Sequence, residues 1–355
     1  MDLTNLNLVN KRVLITGHTG FKGSWLSLVL DVIGARLYGL SLSNNDPNSM
    51  YRTARIGDLF KEEHFVDLRD YQSVNDKINK INPDYVFHLA AQSLVLKSIQ
   101  NPIETFSTNI LGTANLLDTL LKNSNLKGAL VVTSDKVYKP KQVQSYFRET
   151  DELGGGYDPY SVSKASTELV TQSMSITSNV YSIPITTARA GNVVGGCDWA
   201  EDRLLPDLFR SISLNTPLQI RQPRATRPWQ HVLDCIYGYL LIAEQHLSQK
   251  HVKQFDSFNF GPEESLTVLE VINIFNQTVG LKANVQLMNV TDHEQIHLAI
   301  DSSKARSELN WVPFFSPENA IRNSIRFYTE FLAGQSAHKL ARSDIIKYFN
   351  SQMSN

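Results

Sequence analysis

Short apolar runs alternate with amphipathic stretches through the first half of the chain. Runs with the length and β-branched content of buried strands cover residues 12–16, 36–42, 64–68, 85–89 and 128–132. Between them, apolar residues recur at helical spacing over residues 24–33, 71–81 and 103–122. Strands that alternate with helices in this way predict an α/β fold built on a parallel, doubly wound sheet with right-handed crossovers.

The pattern becomes less regular after residue 190. It predicts helices over 204–213, 232–246, 267–279, 302–309 and 321–331, and strands over 218–221 and 257–261. We therefore expect a first domain over residues 1–190, with segments near 227–262 returning to it, and a smaller, interleaved substrate domain over 191–335. The polar stretch 336–355 has a weak helical pattern and predicts a C-terminal tail that is partly mobile.

Glycines separate the first predicted strand from the first predicted helix, in the sequence Gly17-His18-Thr19-Gly20-Phe21-Lys22-Gly23. A strand, a glycine turn and a helix are what a dinucleotide pyrophosphate site needs. The glycines let the backbone approach the phosphates, and the helix N-terminus offers free N–H groups. The spacing is G-x-x-G-x-x-G, and a purely structural turn is the alternative for this motif taken alone. In context, the order predicts a Rossmann-type dinucleotide-binding domain.

The second predicted strand ends without an acidic residue. The usual NAD-binding pattern places an acid about 20 residues after the glycines, where it binds the ribose hydroxyls. This chain has Ser41, Leu42 and Ser43 there, and Asp46 lies further along. Arg36 precedes the strand and is poorly placed to bind a 2′-phosphate. We therefore predict NAD rather than NADP as the cofactor.

Polar residues follow the fifth predicted strand, in the sequence Thr133-Ser134-Asp135-Lys136, and a helix begins near Asp158-Pro159-Tyr160. Tyr160 and Lys164 are four residues apart and share one face of that helix. An ammonium group favours a nearby phenolate and lowers the phenol pKa from about 10, so the pair forms a candidate general base. Tyr-x-x-x-Lys alone occurs often by chance, and Asp135-Lys136 alone could be an exposed ion pair. Their position after a parallel strand makes both candidates for chemistry.

Composition and charge narrow the classes of function. The chain has 355 residues, of which 42% are hydrophobic, enough for one large or two interleaved domains. A net charge of −1 argues against a general nucleic-acid or anionic-membrane partner. Cys197 and Cys235 lack metal-ligand spacing, so no metal is predicted and reduced thiols are expected. No apolar run reaches membrane-spanning length and the N-terminus lacks a signal-peptide core, which predicts a soluble, cytoplasmic protein.

Several motifs together resemble a known superfamily. The glycine-rich motif, His88-Leu89-Ala90-Ala91, Asn109, Ser134 and the Tyr160/Lys164 pair occur in the order of the extended short-chain dehydrogenase/reductases, and this resemblance covers residues 11–335. Two further runs are more specific: Ala190-Gly191-Asn192-Val193-Val194-Gly195-Gly196 with Asp198-Trp199-Ala200, and Arg227-Pro228-Trp229-Gln230-His231-Val232. With these, the chain resembles the nucleotide-sugar 4,6-dehydratases, and among them those that act on CDP-glucose.

The resemblance implies a three-step reaction on a hexose: oxidation of C4 by NAD⁺, elimination of water across C5–C6, and return of the same hydride to C6. Tyr160 would take the C4 hydroxyl proton with help from Lys164, and Ser134 would bond to the same oxygen. Asp135 would protonate the departing C6 hydroxyl. Lys136 stands where related dehydratases carry a glutamate. It would be the C5 base if neutral, or would stabilise the enolate if charged.

The resemblance also assigns binding residues. Cofactor contacts would come from the glycine-rich motif, from strand ends and from one helix: Gly17, Thr19, Gly20, Phe21, Lys22, Gly23, Asp67, Leu68, Leu89, Ala90, Ala91, Asn109, Tyr160 and Lys164. Ordinary packing is the alternative for the strand-end residues. Asn109 could equally be an interior polar residue of its helix or a link in a proton relay. Guanidinium groups suit diphosphate oxygens, so Arg203 and Arg227 would contact the diphosphate and Asn192 would add a polar contact. Arg221 stands where relatives place a residue that stacks on the base. Gln92 and Ser93 complete the expected substrate contacts. Arg210 and Arg224 are expected to face solvent.

Other functions stay open at this stage. One is a UDP- or dTDP-hexose dehydratase or C4 epimerase of the same superfamily. Another is a non-catalytic dinucleotide-sensing regulator, although such proteins typically lack the Tyr/Lys pair that this chain keeps. The resemblance also implies a homodimer or homotetramer that pairs through the Tyr160 helix and residues 103–122, and a role in supplying deoxysugars for surface polysaccharide.

Overall fold

A computed structural model describes residues 6–123, 125–141, 146–177, 183–249, 252–288 and 299–354. Within these ranges the strands are β1 (Arg12–Thr16), β2 (Arg36–Ser41), β3 (Phe60–Phe65), β4 (Tyr85–His88), β5 (Gly128–Val132), β6 (Ile185–Ala190), β7 (Val193–Val194), β8 (Leu218–Ile220), β9 (Thr226–Arg227), β10 (Gln230–His231), β11 (Phe255–Phe260), β12 (Leu266–Thr267) and β13 (Val285–Leu287).

The helices are α1 (Phe21–Ile33), α2 (Met50–Thr53), α3 (Tyr71–Ile81), α4 (Val95–Gln100), α5 (Pro102–Phe106), α6 (Gly112–Leu121), α7 (Pro159–Thr177), α8 (Leu204–Leu214), α9 (Val232–Ser248), α10 (Val268–Val279), α11 (Ser303–Leu309), α12 (Pro317–Leu332) and α13 (Ala337–Ser354). Most of them begin and end within a few residues of the predicted positions, because their apolar faces set the pattern read from the sequence.

A seven-stranded parallel sheet forms the centre of the fold, in the order β3-β2-β1-β4-β5-β6-β11. The strand order reverses between β1 and β4, which is where open α/β sheets bind ligands. Thr16 pairs with His88 and with Leu40, so the carboxyl ends of these strands meet at one edge. Helices cover both faces of the sheet, and the predicted Rossmann-type α/β fold is confirmed.

The third strand lies four residues earlier than predicted. The sequence placed it at 64–68, and the structure has it at Phe60–Phe65. This strand is at the sheet edge and most of its side chains are only half-buried, so it lacks the continuous apolar run of a central strand. Asp67 and Leu68 therefore belong to the loop that follows β3 rather than to the strand.

The predicted helix over residues 103–122 is divided into three parts. Between α5 and α6 the backbone makes one π-helical turn, Ser107–Leu111, which contains the buried Asn109. Such turns insert one residue into a helix and change the direction of a side chain. The hydrophobic spacing predicted the helix but gave no sign of the turn.

The C-terminal segment is a packed helix, so the prediction of a mobile tail is wrong for residues 337–354. Leu340, Ile345 and Tyr348 of α13 are buried against the core that contains α1 and α9. Ala341, which is also buried, Ile345 and Tyr348 follow one another at spacings of four and three residues, which is helical, and most of the polar residues of this segment lie on its exposed face.

A second apolar cluster lies beside the sheet. It joins α8, α10 and α12 through residues such as Phe209, Phe275, Ile321 and Tyr328. By contrast, α9 and β11 pack in the main core. This arrangement supports the proposed interleaved substrate domain. In the described ranges, no helix combines the length and apolar character needed to cross a bilayer, and no group of His, Cys, Asp and Glu side chains is arranged to bind a metal.

Candidate active site

The carboxyl ends of the central strands open on a cleft of about 1260 Å³. Most of the residues predicted to form a site line it: Gly17, Thr19, Gly20, Phe21, Lys22, Gly23, Asp67, Leu68, Leu89, Ala90, Ala91, Ser93, Ser134, Asp135, Lys136, Tyr160, Lys164, Asn192, Arg203, Arg221 and Arg227. The cleft lies at the point where the strand order reverses.

The glycine-rich loop forms a cradle at the start of α1. Gly17 has a φ of 76°, and a Cβ atom there would lie 2.6 Å from the Ala90 nitrogen. A Cβ atom on Gly23 would overlap the Gly17 carbonyl oxygen. Gly20 is the N-cap of α1 and places no side chain over the first N–H groups. These features fit the pyrophosphate of a dinucleotide, which needs close backbone approach and free N–H donors.

Hydroxyl and amide groups line the part of the cleft where an acidic residue is usual. Thr19 Oγ1 lies 2.7 Å from Ser41 Oγ and donates to the Leu42 carbonyl at 3.0 Å. Asn44 Nδ2 donates to the Thr19 carbonyl at 2.9 Å, which ties the loop after β2 to the glycine-rich loop. Across the cleft, hydrogen bonds from Arg69 hold the pKa of Asp67 below its usual range.

Ser134, Asp135 and Lys136 form a compact group where β5 ends in a short 3₁₀ turn, Asp135–Val137. Ser134 Oγ accepts from the Lys136 N–H at 3.2 Å and donates to Asp135 Oδ1 at 3.0 Å. Lys136 Nζ lies 3.5 Å from the same carboxylate oxygen. Asp135 is 1% exposed, and its Oδ2 atom has no hydrogen-bond partner among the described residues. That oxygen can therefore form a hydrogen bond with a group bound in the cleft.

Tyr160 lies in the first turn of α7. Asp158 Oδ1 accepts from the Ser161 N–H at 2.9 Å and so caps the helix as the sequence predicted. The structure does not bear out the expected lowering of the phenol pKa. Burial raises the pKa of Tyr160, and a hydrogen bond with Ser134 opposes this only in part. Forming the phenolate therefore needs positive charge nearby.

Lys164 is the buried cation closest in sequence to that phenol. Its Nζ donates to the Val132 carbonyl at 3.1 Å, so the side chain is tied to the end of β5. Burial and the charge of Lys22 lower the pKa of Lys164 to about 8, and the charge of Glu168 opposes this shift. Lys164 is therefore a cation at neutral pH that can lose its proton in mildly alkaline solution.

Gln92 and Asn109 are not part of the cleft lining. The Gln92 side chain donates to the Leu94 carbonyl at 3.0 Å and to Thr105 Oγ1 at 2.9 Å. Asn109 accepts from the Gln92 N–H at 2.8 Å and donates to Ser163 Oγ at 2.8 Å. These bonds hold the loop after β4 against α7. Both residues therefore fix the position of elements that line the cleft, without lining it themselves. The sequence placed both residues near the cleft, but it did not predict that their side chains point away from it.

The arginines predicted to bind substrate lie together. Arg203, Arg221 and Arg227 line both the cleft and an adjoining cavity of about 270 Å³. Arg224 is exposed as predicted. Arg210 was expected to face solvent, but it donates to the Trp199 carbonyl at 2.6 Å and to the Ala200 carbonyl at 3.1 Å, so it anchors the loop that leads to Arg203.

The sequence missed several residues that the fold brings to the cleft. They lie in loops after strands or beside predicted residues: Ser41, Asn44, Asp46, Tyr157, Asp158, Asp198 and Trp199. The run after β2 offered a signal, because loops at the carboxyl end of parallel strands line ligand sites. The approach of Asp198 to the cleft depends on the path of an irregular loop, for which the sequence has no periodic signal.

Comparisons with known proteins show the family to which the chain belongs. The family model described as GDP-mannose 4,6-dehydratase matches residues 14–324. The CDP-glucose 4,6-dehydratase of Salmonella typhimurium is 37% identical over 350 residues, which are 96% of this chain and 97% of that protein.

Solved structures share the fold. UDP-glucose 4-epimerase from Thermotoga maritima, solved with UDP-glucose, superposes with a TM-score of 0.79 at 22% identity, covering 90% of this chain and 99% of that one. The dTDP-glucose 4,6-dehydratase DesIV from Streptomyces venezuelae, solved with NAD bound, gives a TM-score of 0.76 at 23% identity, covering 90% and 97%.

The fold is of the Rossmann-type α/β class that these solved epimerase and dehydratase structures share. Within that class, the chain belongs to the GDP-mannose 4,6-dehydratase family.

Proposed function

We propose that this chain is an NAD-dependent dehydratase that converts CDP-glucose to CDP-4-keto-6-deoxyglucose. One observation carries the proposal: the buried Asp135 carboxyl, with an unpartnered Oδ2, lies beside Lys136 in the cleft that Tyr160 lines. C4 oxidation alone needs a phenol, a hydroxyl and an ammonium group. An additional acid and amine are what an elimination needs. The similarity to the Salmonella enzyme supports the choice of CDP-glucose.

The cradle of Gly17, Gly20 and Gly23 would hold the NAD pyrophosphate, and the Thr19–Ser41 region would face the adenosine. When bound, NAD supplies the group that accepts and later returns one hydride. Leu89 and Ala90 follow β4 and line the cleft, so they would contact the cofactor. These residues would bind and orient NAD. The proton transfers would be made by the side chains at the end of β5 and on α7.

The first proton transfer belongs to Tyr160. Its phenolate would take the C4 hydroxyl proton while Ser134 donates a hydrogen bond to the same oxygen. Because burial raises the pKa of Tyr160, positive charge is needed to favour the phenolate: the charge of Arg203 lowers this pKa, and Lys164, one helical turn further along α7, would add to that effect. Loss of the hydroxyl proton makes the C4 hydrogen a better hydride donor.

Elimination belongs to Asp135 and Lys136. The C4 ketone makes the C5 proton acidic; Lys136 removes it, or stabilises the enolate if another base does so. The C5–C6 double bond forms as the C6–O bond breaks, and Asp135 donates a proton through Oδ2 so that water leaves. Ser134 and Lys136 contact the other carboxyl oxygen, Oδ1, and so orient Oδ2 away from themselves.

The nucleoside diphosphate would bind on the arginine side of the cleft. Arg203, Arg221 and Arg227 offer planar guanidinium groups at the opening between the cleft and the smaller cavity. Asn192 lines both spaces, so it would contact the substrate where the sugar meets the diphosphate. Ser93 lines the cleft after β4 and would contact the sugar.

We also propose a cytoplasmic homodimer or homotetramer that pairs through α5, α6 and α7. Ile103 is 77% exposed, Leu111 50% and Leu169 54%, and all three lie on these helices or the π turn between them. Burying such side chains against a second copy removes apolar surface from water, which favours association. Sedimentation of Ile103→Asp and Leu169→Asp variants tests this: a smaller species is expected, and an unchanged species contradicts it.

The decisive experiment incubates purified protein and NAD⁺ with CDP-glucose, dTDP-glucose or UDP-glucose, then adds alkali. The ultraviolet absorbance of a 4-keto sugar is expected with CDP-glucose. The same signal with another nucleotide only would retain the dehydratase and change the substrate. A C4 epimer without keto product would establish an epimerase. NAD binding without turnover of any of these sugars would favour the regulator.

A further inference from the structure

A fully buried ion pair lies behind the proposed catalytic groups. The side chain of Glu168 is 0% exposed and that of Arg189 is 3% exposed. Arg189 binds the carboxylate in bidentate fashion, with Nε at 3.0 Å from Oε1 and Nη2 at 2.8 Å from Oε2. Thr133 Oγ1 donates to Oε1 at 2.5 Å and Thr187 Oγ1 donates to Oε2 at 2.7 Å. Both carboxylate oxygens are therefore fully used.

These bonds join α7 to the end of β5, the two elements that hold the proposed catalytic residues. Thr133 precedes Ser134 directly, and Glu168 follows Lys164 by one helical turn. The face of α7 that holds Lys164 is thus attached to the end of β5 at two adjacent points: Lys164 Nζ to the Val132 carbonyl, and Glu168 to Thr133. A shift of α7 along β5 would break both contacts at once.

The network also reaches the far side of Lys136. Arg189 Nη1 donates to the Tyr138 hydroxyl at 2.9 Å, and Tyr138 donates to Asn259 Oδ1 at 2.6 Å. Tyr138 follows the 3₁₀ turn that contains Asp135 and Lys136. The Glu168–Arg189 pair therefore holds Thr133 and Tyr138, which lie on either side of Asp135 and Lys136 in the sequence.

We propose that Glu168, held by Arg189, is a positioning residue that fixes the register of α7 against β5 and so places Tyr160 and Lys164 opposite Ser134. This rests on the proposed function, because register matters most when these groups act on one sugar carbon. Stability alone is a weak reason for such a pair, since buried ion pairs are often replaced by apolar residues without loss. Misplacement of reacting groups by about 1 Å can cost about a hundredfold in rate.

The charge of Glu168 has a second effect, on Lys164. The other charged or titratable groups that act on Lys164 are Lys22, from the glycine-rich loop, and His88, from β4. Burial lowers the pKa of His88 to about 3, so it is neutral at physiological pH, while Lys22 disfavours the Lys164 cation. Glu168 favours that cation and so helps to keep the positive charge that the Tyr160 phenolate needs.

The test compares Glu168→Gln with wild type in the NAD-loaded enzyme. We expect kcat to fall about tenfold or more while KM changes less than about twofold, because transition-state alignment is lost but the arginine site is intact. The titration midpoint of Lys164, followed by NMR with ¹³C-labelled lysine and assigned with Lys164→Arg, is expected to move to lower pH. Asp344→Asn, which weakens the Arg326–Asp344 pair between α12 and α13, is the matched control and should move neither quantity.

Two more variants separate the effect of Glu168 on the register of α7 from the effect of its charge on Lys164. Glu168→Asp keeps the charge on a shorter side chain, so the Lys164 midpoint should stay near wild type while kcat falls. Thr133→Val removes one bond without changing any charge, and it tests the register even if Glu168→Gln does not fold. A wild-type kcat in Thr133→Val and in Glu168→Gln, or an unmoved Lys164 midpoint in Glu168→Gln, would overturn the proposal. If wild type turns over no sugar nucleotide, the proposed function fails, whereas the Lys164 titration still tests the role of Glu168.

Discussion

The backbone of Gly191 lies directly against the carboxylate of Asp135. A Cβ atom on Gly191 would overlap Asp135 Oδ2, the oxygen that has no partner among the described residues. Gly191 follows β6, and Asp135 follows β5, the neighbouring strand of the sheet. The glycine therefore leaves the space in which a buried acid can face the cleft.

Gly191→Ala should displace that acid. We expect kcat for dehydration to fall about tenfold or more, because the carboxyl must move away from the substrate. Steady-state assay of the keto sugar measures this. Gly280→Ala is the control: Gly280 has a φ of 73° and no heavy atom within 4 Å of an added Cβ, so it should lose stability but keep kcat. Equal kcat losses in both variants would remove the special role of Gly191.

Tyr160→Phe should abolish oxidation at C4. The substitution removes the hydroxyl that takes the substrate proton and keeps the ring, so folding and NAD binding should be retained. The measurement is a single-turnover experiment that follows the absorbance of the reduced cofactor. Appearance of that signal at the wild-type rate would show that another group is the base.

Lys136→Ala should separate oxidation from elimination. Oxidation depends on Tyr160, Ser134 and Lys164 and should continue, whereas removal of the C5 proton should stop. In deuterated water, wild type should place deuterium at C5 and the variant should not. Deuterium at C5 in Lys136→Ala would assign the base to another residue and leave Lys136 as an electrostatic group.

Arg203→Ala should weaken substrate binding more than chemistry. Arg203 lines the cleft and the adjoining cavity, whereas Arg224 is exposed and outside both. We expect KM for the nucleotide sugar to rise about tenfold in Arg203→Ala, in line with the loss of a charge-assisted phosphate contact. Arg224→Ala should keep the wild-type KM. Equal values for both variants would move the diphosphate site elsewhere.

Asp234 should make the attachment of the C-terminal helix depend on pH. It accepts from the Tyr348 hydroxyl at 2.7 Å and from the Phe314 N–H at 2.7 Å, and burial raises its pKa to about 7. The folded state therefore holds this proton more tightly than the unfolded chain, whose carboxyl titrates near 4. The stabilisation is complete below about pH 4 and is lost as pH rises through about 7.

Thermal unfolding of wild type and Asp234→Asn between acid and mildly alkaline pH tests this linkage. The melting temperature of wild type relative to the variant should fall as pH rises towards 7, because Asn cannot ionise. A difference between the two proteins that does not change with pH would assign the titration to other groups.

Much of the fold follows from local pattern. Strands β1 and β5 and helix α3 have the predicted bounds, because their apolar residues are continuous or strictly periodic. The edge strand β3 was misplaced because its pairing with β2, rather than its own hydrophobicity, defines it. The last helix was taken for a tail because polar residues dominate its sequence and its helical pattern is weak, and its buried face is defined only by its packing against the core that contains α1 and α9.

In the candidate site, too, some residues could be predicted from local features of the sequence and others could not. Gly17, Ser134 and Tyr160 were identified because a turn, a strand end and a helix face place them, and each of these is a local feature. Gln92 was assigned to the substrate and Asn109 to the cofactor, with an interior role left open for Asn109. Both side chains bond to neighbouring elements and do not line the cleft, since a side chain's direction depends on those elements. The Glu168–Arg189 pair joins residues of α7 and β6, and no sequence spacing indicated it.

The sequence by itself determined the order of strands and helices and the residue types available at each strand end, because short-range periodicity and turn chemistry are encoded within a few residues. Only the tertiary structure decided which polar groups face one another across the cleft, how deeply Asp135 and Lys164 are buried, and that the pKa of Lys164 is lowered. Those properties depend on desolvation and on charges contributed by distant segments, and these exist only once the chain has folded.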